Sequence, residues 1–182
     1  YETLETYVSD DYFGILDDNE GADITNTATE LMDVAVGRIS ADDVQKAQIA
    51  VAKIKSYSAN SAFGDWRNQG AFIADDEDNN IHEIDADTVA NRYINAQKKS
   101  NIDKIYLDAY QQQPGINGAT YPAVNDAINR KLFTGTLFLN YVGHGGPMGW
   151  AKERVLTFDD SNQWTNADKL PLFITATCEF AP

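Results

Sequence analysis

At 182 residues the chain is long enough for one α/β domain with a real core and too short for two. With 43% hydrophobic and 23% charged residues it is neither disordered, fibrous nor collagen-like. A formal net charge of −14 repels nucleic-acid phosphates and anionic membranes, and no Lys/Arg cluster offsets it.

In chain order, residues 32–39 (MDVAVGRI) alternate apolar and polar side chains and predict a first strand. Ser40 is a good N-cap for an amphipathic helix over 41–58, with acids in its first turn. Residues 71–74 (AFIA) form a short buried strand running straight into Asp75, Asp76, Glu77 and Asp78. Asp85 can cap a helix over 86–99, and 102–107 (IDKIYL) reads as a third strand. Pro114, Gly115, Gly118 and Pro122 mark a long loop before a helix over 124–132. Residues 136–142 (TLFLNYV) and 170–177 (LPLFITAT) are apolar on both faces, as central parallel strands are when helices cover both sides. Strands alternating with helices predict a three-layer αβα sandwich with a mainly parallel sheet.

The chemistry is then expected where strands end. Three strand ends carry reactive groups: the acidic run from Asp75, the turn Gly143-His144-Gly145-Gly146, and Cys178-Glu179. Cysteine is a strong nucleophile once a base or positive charge lowers its pKa, and imidazole titrates near neutrality. Glycines beside the histidine let substrate approach the backbone, so the N–H groups of Gly145 and Cys178 are candidate oxyanion donors. Alone, a cysteine after an apolar strand is most often a small buried hydrophobe, and a histidine in a glycine turn is often only a loop residue. Together, each directly after a buried strand, they form a candidate nucleophile–base pair. Gly146, Trp150 and Glu179 beside them are candidates for substrate binding. His82, in the polar stretch NNIHE, reads as solvated or as a minor binding residue.

The acidic run has three readings: hard-oxygen ligands for Ca²⁺ at Asp75, Asp76 and Asp78, a carboxylate that orients His144, or a solvated turn. Glu77 or a neighbouring Asp oriented on His144, with the remainder solvated, is the preferred division. The lone cysteine excludes an internal disulfide or multi-cysteine metal site, and no run approaches the roughly 18 apolar residues of a membrane span. The start at Tyr1 and the stop soon after Cys178 lead to the expectation of a single catalytic domain over 1–182, cut from a longer protein.

NYVGHGGPMGWAKERVLT followed by LPLFITATCEF resembles the gingipain-like cysteine peptidases, peptidase family C25. The features shared are Gly143-His144-Gly145, Gly149-Trp150, Leu170-Pro171 and Cys178, with His144 and Cys178 34 positions apart. The likeness is greatest to the PorU-type sortases of the bacterial type IX secretion system, through GHGG, WAKERVLT and ATCEF. VAVGRI, the helix after it and IADDEDNN extend it over most of the chain. The resemblance implies a caspase-like fold, Cys178 as nucleophile, His144 as base, and an acid at Glu77, with Asp76 and Asp75 as neighbouring candidates. It also implies a polypeptide substrate carrying a C-terminal secretion signal, secretion-system partners, an extracellular or cell-surface location, and structural Ca²⁺ with no cofactor needed for chemistry. Asn79 and Asn80 stand where gingipains carry an acid for a basic P1 side chain, so Arg or Lys specificity is not implied. Two rivals are a phosphoacceptor receiver domain, which needs a Lys where Cys178 stands, and a non-catalytic secretion or adhesion scaffold.

Overall fold

The structure, a computed structural model, describes residues 10–18, 31–116 and 118–178. The chain divides into two compact units, residues 1–52 and 53–182. In the first, the Asp33 amide donates to the Gly14 carbonyl at 2.8 Å, and the Leu16 amide to Asp33 Oδ2 at 2.8 Å. Arg38 grips Asp10 with Nε at 2.6 Å from Oδ2 and a second bond from Nη2 to Oδ1. The strand expected over 32–39 does not form: the segment has no ladder partner among the described residues, and Met32, Val34 and Ile39 are exposed. Alternation selects a face for burial, but a strand exists only where a neighbour takes its backbone hydrogen bonds.

Helix α1 (Val44–Tyr57) starts later than its expected beginning at 41. Asp43, not Ser40, caps it, with Oδ1 accepting the Lys46 amide at 2.7 Å. The boundary between the two units falls inside this helix.

The second unit is built on a four-stranded sheet in the order β2-β1-β5-β8, every pair parallel. The strands are β1 (Gln69–Ala74), β2 (Asn101–Tyr106), β5 (Phe138–Val142) and β8 (Leu172–Ala176). Helices α2 (Ile81–Ala96), α3 (Pro122–Thr134) and α4 (Phe158–Asn162) lie between them in sequence. Parallel neighbours need such crossovers because a hairpin cannot return a strand to its own starting end. The expected loop around Pro114 contains the hairpin β3 (Gln113–Gly115) and β4 (Gly118–Thr120), and after His144 comes a second hairpin, β6 (Gly145–Gly146) and β7 (Gly149–Trp150).

Period-two alternation along the strands divides the core. Ala71, Ile73, Leu139 and Tyr141 face Val124, Ile128 and Leu132 of α3. Phe72, Ala74 and Phe138 face Ala86 and Ala90 of α2, with Tyr93 packed against them. Each fully buried aliphatic side chain stabilises by about 1.5–3 kcal/mol. Phe138 meets Phe72 and Tyr93 edge-on, at 5.5 and 5.0 Å between ring centres. The result is the expected three-layer sandwich.

Two expectations shift. Helix α2 begins at Ile81, so Asp85 is inside it rather than at its cap. Strand β8 is an edge strand among the described residues, with Leu172 and Ile174 exposed; its apolar sequence had suggested a central position. Strand β5 is central, between β1 and β8.

Asp160 ties α4 to α3. Its Oδ2 accepts the Thr157 amide at 2.8 Å and hydroxyl at 2.7 Å, while its Oδ1 accepts Asn125 Nδ2 at 3.0 Å. Burial raises the pKa of this carboxyl, but the bonds from Thr157, Asn125 and Asn129 outweigh burial and hold it below its ordinary value. A lowered folded-state pKa contributes stability that is present above the unfolded value of about 4 and lost as pH falls through the folded one. Asp160→Ala is expected to cost about 1–3 kcal/mol at pH 7 in urea unfolding. The gap to the parent should narrow as the solution is acidified below pH ~4.

Candidate active site

The register of the parallel sheet brings the three reactive strand ends to one rim. Ala74 of β1 pairs with Val142 of β5, and Val142 pairs with Ala176 of β8. His144 and Cys178 therefore each stand two residues past a shared rung, on strands about 4.8 Å apart. The Gly143 amide donates to the Ala176 carbonyl at 3.2 Å, extending the pairing beyond the ladder. The acidic run leaves the same rim from β1, on the opposite side of β5 from Cys178.

Three anchors position His144. Its amide donates to Oδ2 of the fully buried Asp75 at 3.0 Å. Its carbonyl accepts the Tyr141 hydroxyl at 2.6 Å and the Ala151 amide at 2.8 Å. Burial, then the negative charge of Asp75, pushes the Tyr141 pKa well up, so the phenol stays a neutral donor. Gly143 makes this approach possible. With φ at +155°, a Cβ there would lie 2.4 Å from Asp75 Cβ and 2.6 Å from the Tyr141 hydroxyl.

The imidazole meets Asp78 more closely than Glu77. Nε2 lies 2.9 Å from Asp78 Oδ2 and 3.8 Å from Glu77 Oε2. Glu77 is drawn instead to Lys152, whose Nζ is 2.6 Å from Oε2. Asp78 reaches the ring because the backbone takes a left-handed turn: Asp78, Asn79 and Asn80 have φ of 56°, 57° and 62°. Asp and Asn tolerate this region best among side-chain-bearing residues, and each such residue still costs of order 1 kcal/mol. That turn delivers the chain into α2, whose second residue, His82, comes 3.4 Å from Asp78 Oδ2. The rings of His82 and His144 meet edge-on at 5.0 Å.

Cys178 is a free, exposed thiol at the end of β8. Gly145 packs on this segment so closely that a Cβ would lie 2.3 Å from Thr177 Oγ1 and 3.0 Å from the Cys178 carbonyl oxygen. Gly146 faces open space and, with His144, Met148, Lys152 and Arg154, lines a recess of about 220 Å³. Trp150, expected to touch substrate, is fully buried. Its indole stacks on Tyr141 at 4.4 Å and meets Phe173 edge-on, so it supports the floor of the turn from below. Glu179 lies outside the described residues.

The three acids expected to share a cation separate. Asp78 stands with the histidines, while Asp75 and Asp76 converge with Glu153, their ligand oxygens all within 4.8 Å. Asp76 Oδ2 accepts the Tyr121 hydroxyl at 2.6 Å. Asp76 Oδ1 and Glu153 Oε2 are buried with no hydrogen-bond partner among the described residues. Burial, and then the charges of Asp75, Asp76 and Glu77, hold the Glu153 carboxyl above its ordinary value. Sequence reasoning passed over Glu153 and left Asp78 as a calcium candidate or an unspecified alternative to Glu77. Nothing in KER marks Glu153, but Asp78-Asn79-Asn80 before a helix does signal a left-handed turn.

The sequence model of peptidase family C25 matches residues 1–182. A search of curated proteins finds no match. Among solved structures, the Arg-specific cysteine proteinase gingipain R (RgpB) is similar with a TM-score of 0.61 and 21% identity, over 92% of this chain and 35% of its own. The complex of Porphyromonas gingivalis RgpB pro- and mature domains is similar with a TM-score of 0.58 and 20% identity, over 81% of this chain and 33% of its own. The chain thus spans about a third of the length of these structures. The likeness is one of fold, and that fold is caspase-like.

Gly143→Ala is expected to lower stability by about 1–3 kcal/mol, because both the Asp75 and the Tyr141 contacts must give way. Gly146→Ala, which meets open space, should stay within about 0.5 kcal/mol of the parent. Thermal or urea unfolding of the two variants side by side checks the contrast.

Proposed function

The chain belongs to peptidase family C25, and from that premise we propose that it carries the nucleophile and the base of a cysteine endopeptidase. The observation behind this reading is the shared rung of β5 and β8: His144 and Cys178 leave adjacent parallel strands at equivalent positions, with the thiol open to solvent.

In this mechanism His144 takes the Cys178 proton, and the thiolate attacks a peptide carbonyl. The backbone N–H groups of Gly145 and Cys178 stabilise the oxyanion. His144 then returns the proton to the leaving amine, and water or another amine resolves the thioester. A carboxylate on the far side of the imidazole fixes its orientation and stabilises the imidazolium. Asp78 suits this role better than Glu77, being 2.9 Å from Nε2 while Glu77 is engaged by Lys152.

The finer reading is a sortase-like processor of secreted proteins that bear a C-terminal signal, working with type IX secretion components at the bacterial surface. Two features favour it over a digestive protease with a basic P1 preference. The recess beside His144 is lined by Lys152 and Arg154 rather than by acids, and Asn79 and Asn80 are spent on the left-handed turn. No helix among the described residues is long and apolar enough to cross a membrane. A structural Ca²⁺ would be held by Asp75, Asp76 and Glu153, whose hard oxygens suit it; the buried oxygens of Asp76 and Glu153 that have no hydrogen-bond partner among the described residues favour that set.

Against a receiver domain stands the burial of the Asp75 carboxylate, which accepts the His144 amide and is not open to a phosphodonor. Against a scaffold stands an exposed thiol on the same rim as an acid-paired imidazole.

A peptidyl acyloxymethyl ketone is expected to label Cys178 in the parent chain, with labelling falling by on the order of 10²-fold or more in His144→Ala. Peptide cleavage at the parent rate by Cys178→Ala would overturn the reading. Asp78→Asn should lower kcat by on the order of 10²-fold or more, and Glu77→Gln by less than about tenfold.

A further inference from the structure

Asp78, His82 and His144 each present one ligand atom, and these atoms all lie within 4.8 Å of one another. We propose that these three side chains form a binding site for a borderline-soft divalent cation of the Zn²⁺ type, and that occupancy switches the peptidase off.

The geometry is that of a chelate. A tetrahedral Zn²⁺ with bonds of about 2.0–2.1 Å has ligand atoms about 3.3 Å apart. Asp78 Oδ2 is 2.9 Å from His144 Nε2 and 3.4 Å from His82 Nε2. Asp78 and His82 are joined by the short left-handed turn into α2, and His144 is fixed through its own backbone by Asp75 and Tyr141. The loss of freedom on binding is therefore largely met by the fold.

His82 supplies an independent sign. Its Nε2 is buried and makes no hydrogen bond among the described residues, although Asp78 Oδ2 lies only 3.4 Å away. A buried imidazole nitrogen without a partner is costly, and a metal ion is one of the few occupants that would satisfy it together with its neighbours. Two imidazoles and one carboxylate select Zn²⁺, Co²⁺ or Ni²⁺ over Ca²⁺, which requires six or more oxygens. Cys178 Sγ does not join the set, so the remaining position is left to water.

The consequence for catalysis rests on His144 being the base. A cation on its Nε2 takes the lone pair and the Asp78 contact together, leaving Cys178 without a proton acceptor.

Co²⁺ titration of the intact chain, followed by its visible d–d absorption, tests the site directly. The expectation is one Co²⁺ per chain, no thiolate charge-transfer band, displacement by Zn²⁺, and no displacement by millimolar Ca²⁺. His82→Ala should weaken binding at least about tenfold, and Cys178→Ala should bind as the parent does. Asp78→Asn is the second ligand variant, chosen because Asn readily keeps the left-handed backbone of that position. Parent-like binding by both His82→Ala and Asp78→Asn, or loss of binding in Cys178→Ala, would overturn the site. In a peptide-cleavage assay, Zn²⁺ should inhibit the parent reversibly with EDTA, and His82→Ala should need at least about tenfold more Zn²⁺. Peptide cleavage that Zn²⁺ does not inhibit would overturn the switch while sparing the peptidase. Co²⁺ binding in a chain that cleaves no peptide and takes no thiol label would sink the peptidase reading and leave the metal site standing.

Discussion

Parallel pairing of β5 with β1 on one side and β8 on the other is the constraint from which the site follows. Because neighbouring parallel strands end at the same rim, whatever follows Ala74, Val142 and Ala176 is gathered there. Chain segments over 60 residues apart in sequence are thereby held within one or two strand spacings. The two-sided core makes the pairing firm: Ile73, Leu139 and Tyr141 are locked against α3, and Phe72 and Phe138 against α2. A slip of one residue would turn every one of these side chains to the wrong layer.

Within that frame, Asp75 is a construction element rather than a chemical one. Its carboxylate is buried, and the amide of His144 satisfies it. The same contact forces Gly143, since any Cβ would strike Asp75 and Tyr141. Strand β5 then has two different neighbours at this rim: the carboxylates follow β1 on one side, and the thiol follows β8 on the other. The proposed acyl-transfer dyad needs that asymmetry, because the base must be oriented from one direction and used from the other.

Asp78 shows how local strain serves the site. Three successive residues in the left-handed region are unfavourable for most sequences, and here they are Asp, Asn and Asn. The turn reverses the chain between β1 and α2 so that Asp78 and His82 both look toward His144. The turn that sets Asp78 against the imidazole also brings the second histidine to it, so the proposed means of positioning the base and the proposed means of blocking it are the same turn.

The sequence by itself determined much of this protein. The apolar runs after Gly135 and around Phe72 marked sheet strands, the acids and helical periods marked α1 to α3, and glycine around His144 marked a backbone needing close approach. Those signals are local, since side-chain period and backbone preference are written residue by residue. Tertiary structure alone decided that, among the described residues, 32–39 forms no strand and β8 lies at an edge, and that Trp150 is buried in the core. It also decided that Asp78 rather than Glu77 meets the imidazole and that Glu153 joins Asp75 and Asp76. These facts depend on which distant segment supplies the hydrogen-bond partner, the stacking ring or the opposing charge. Pairing and register set that, and no spacing along the chain encodes it.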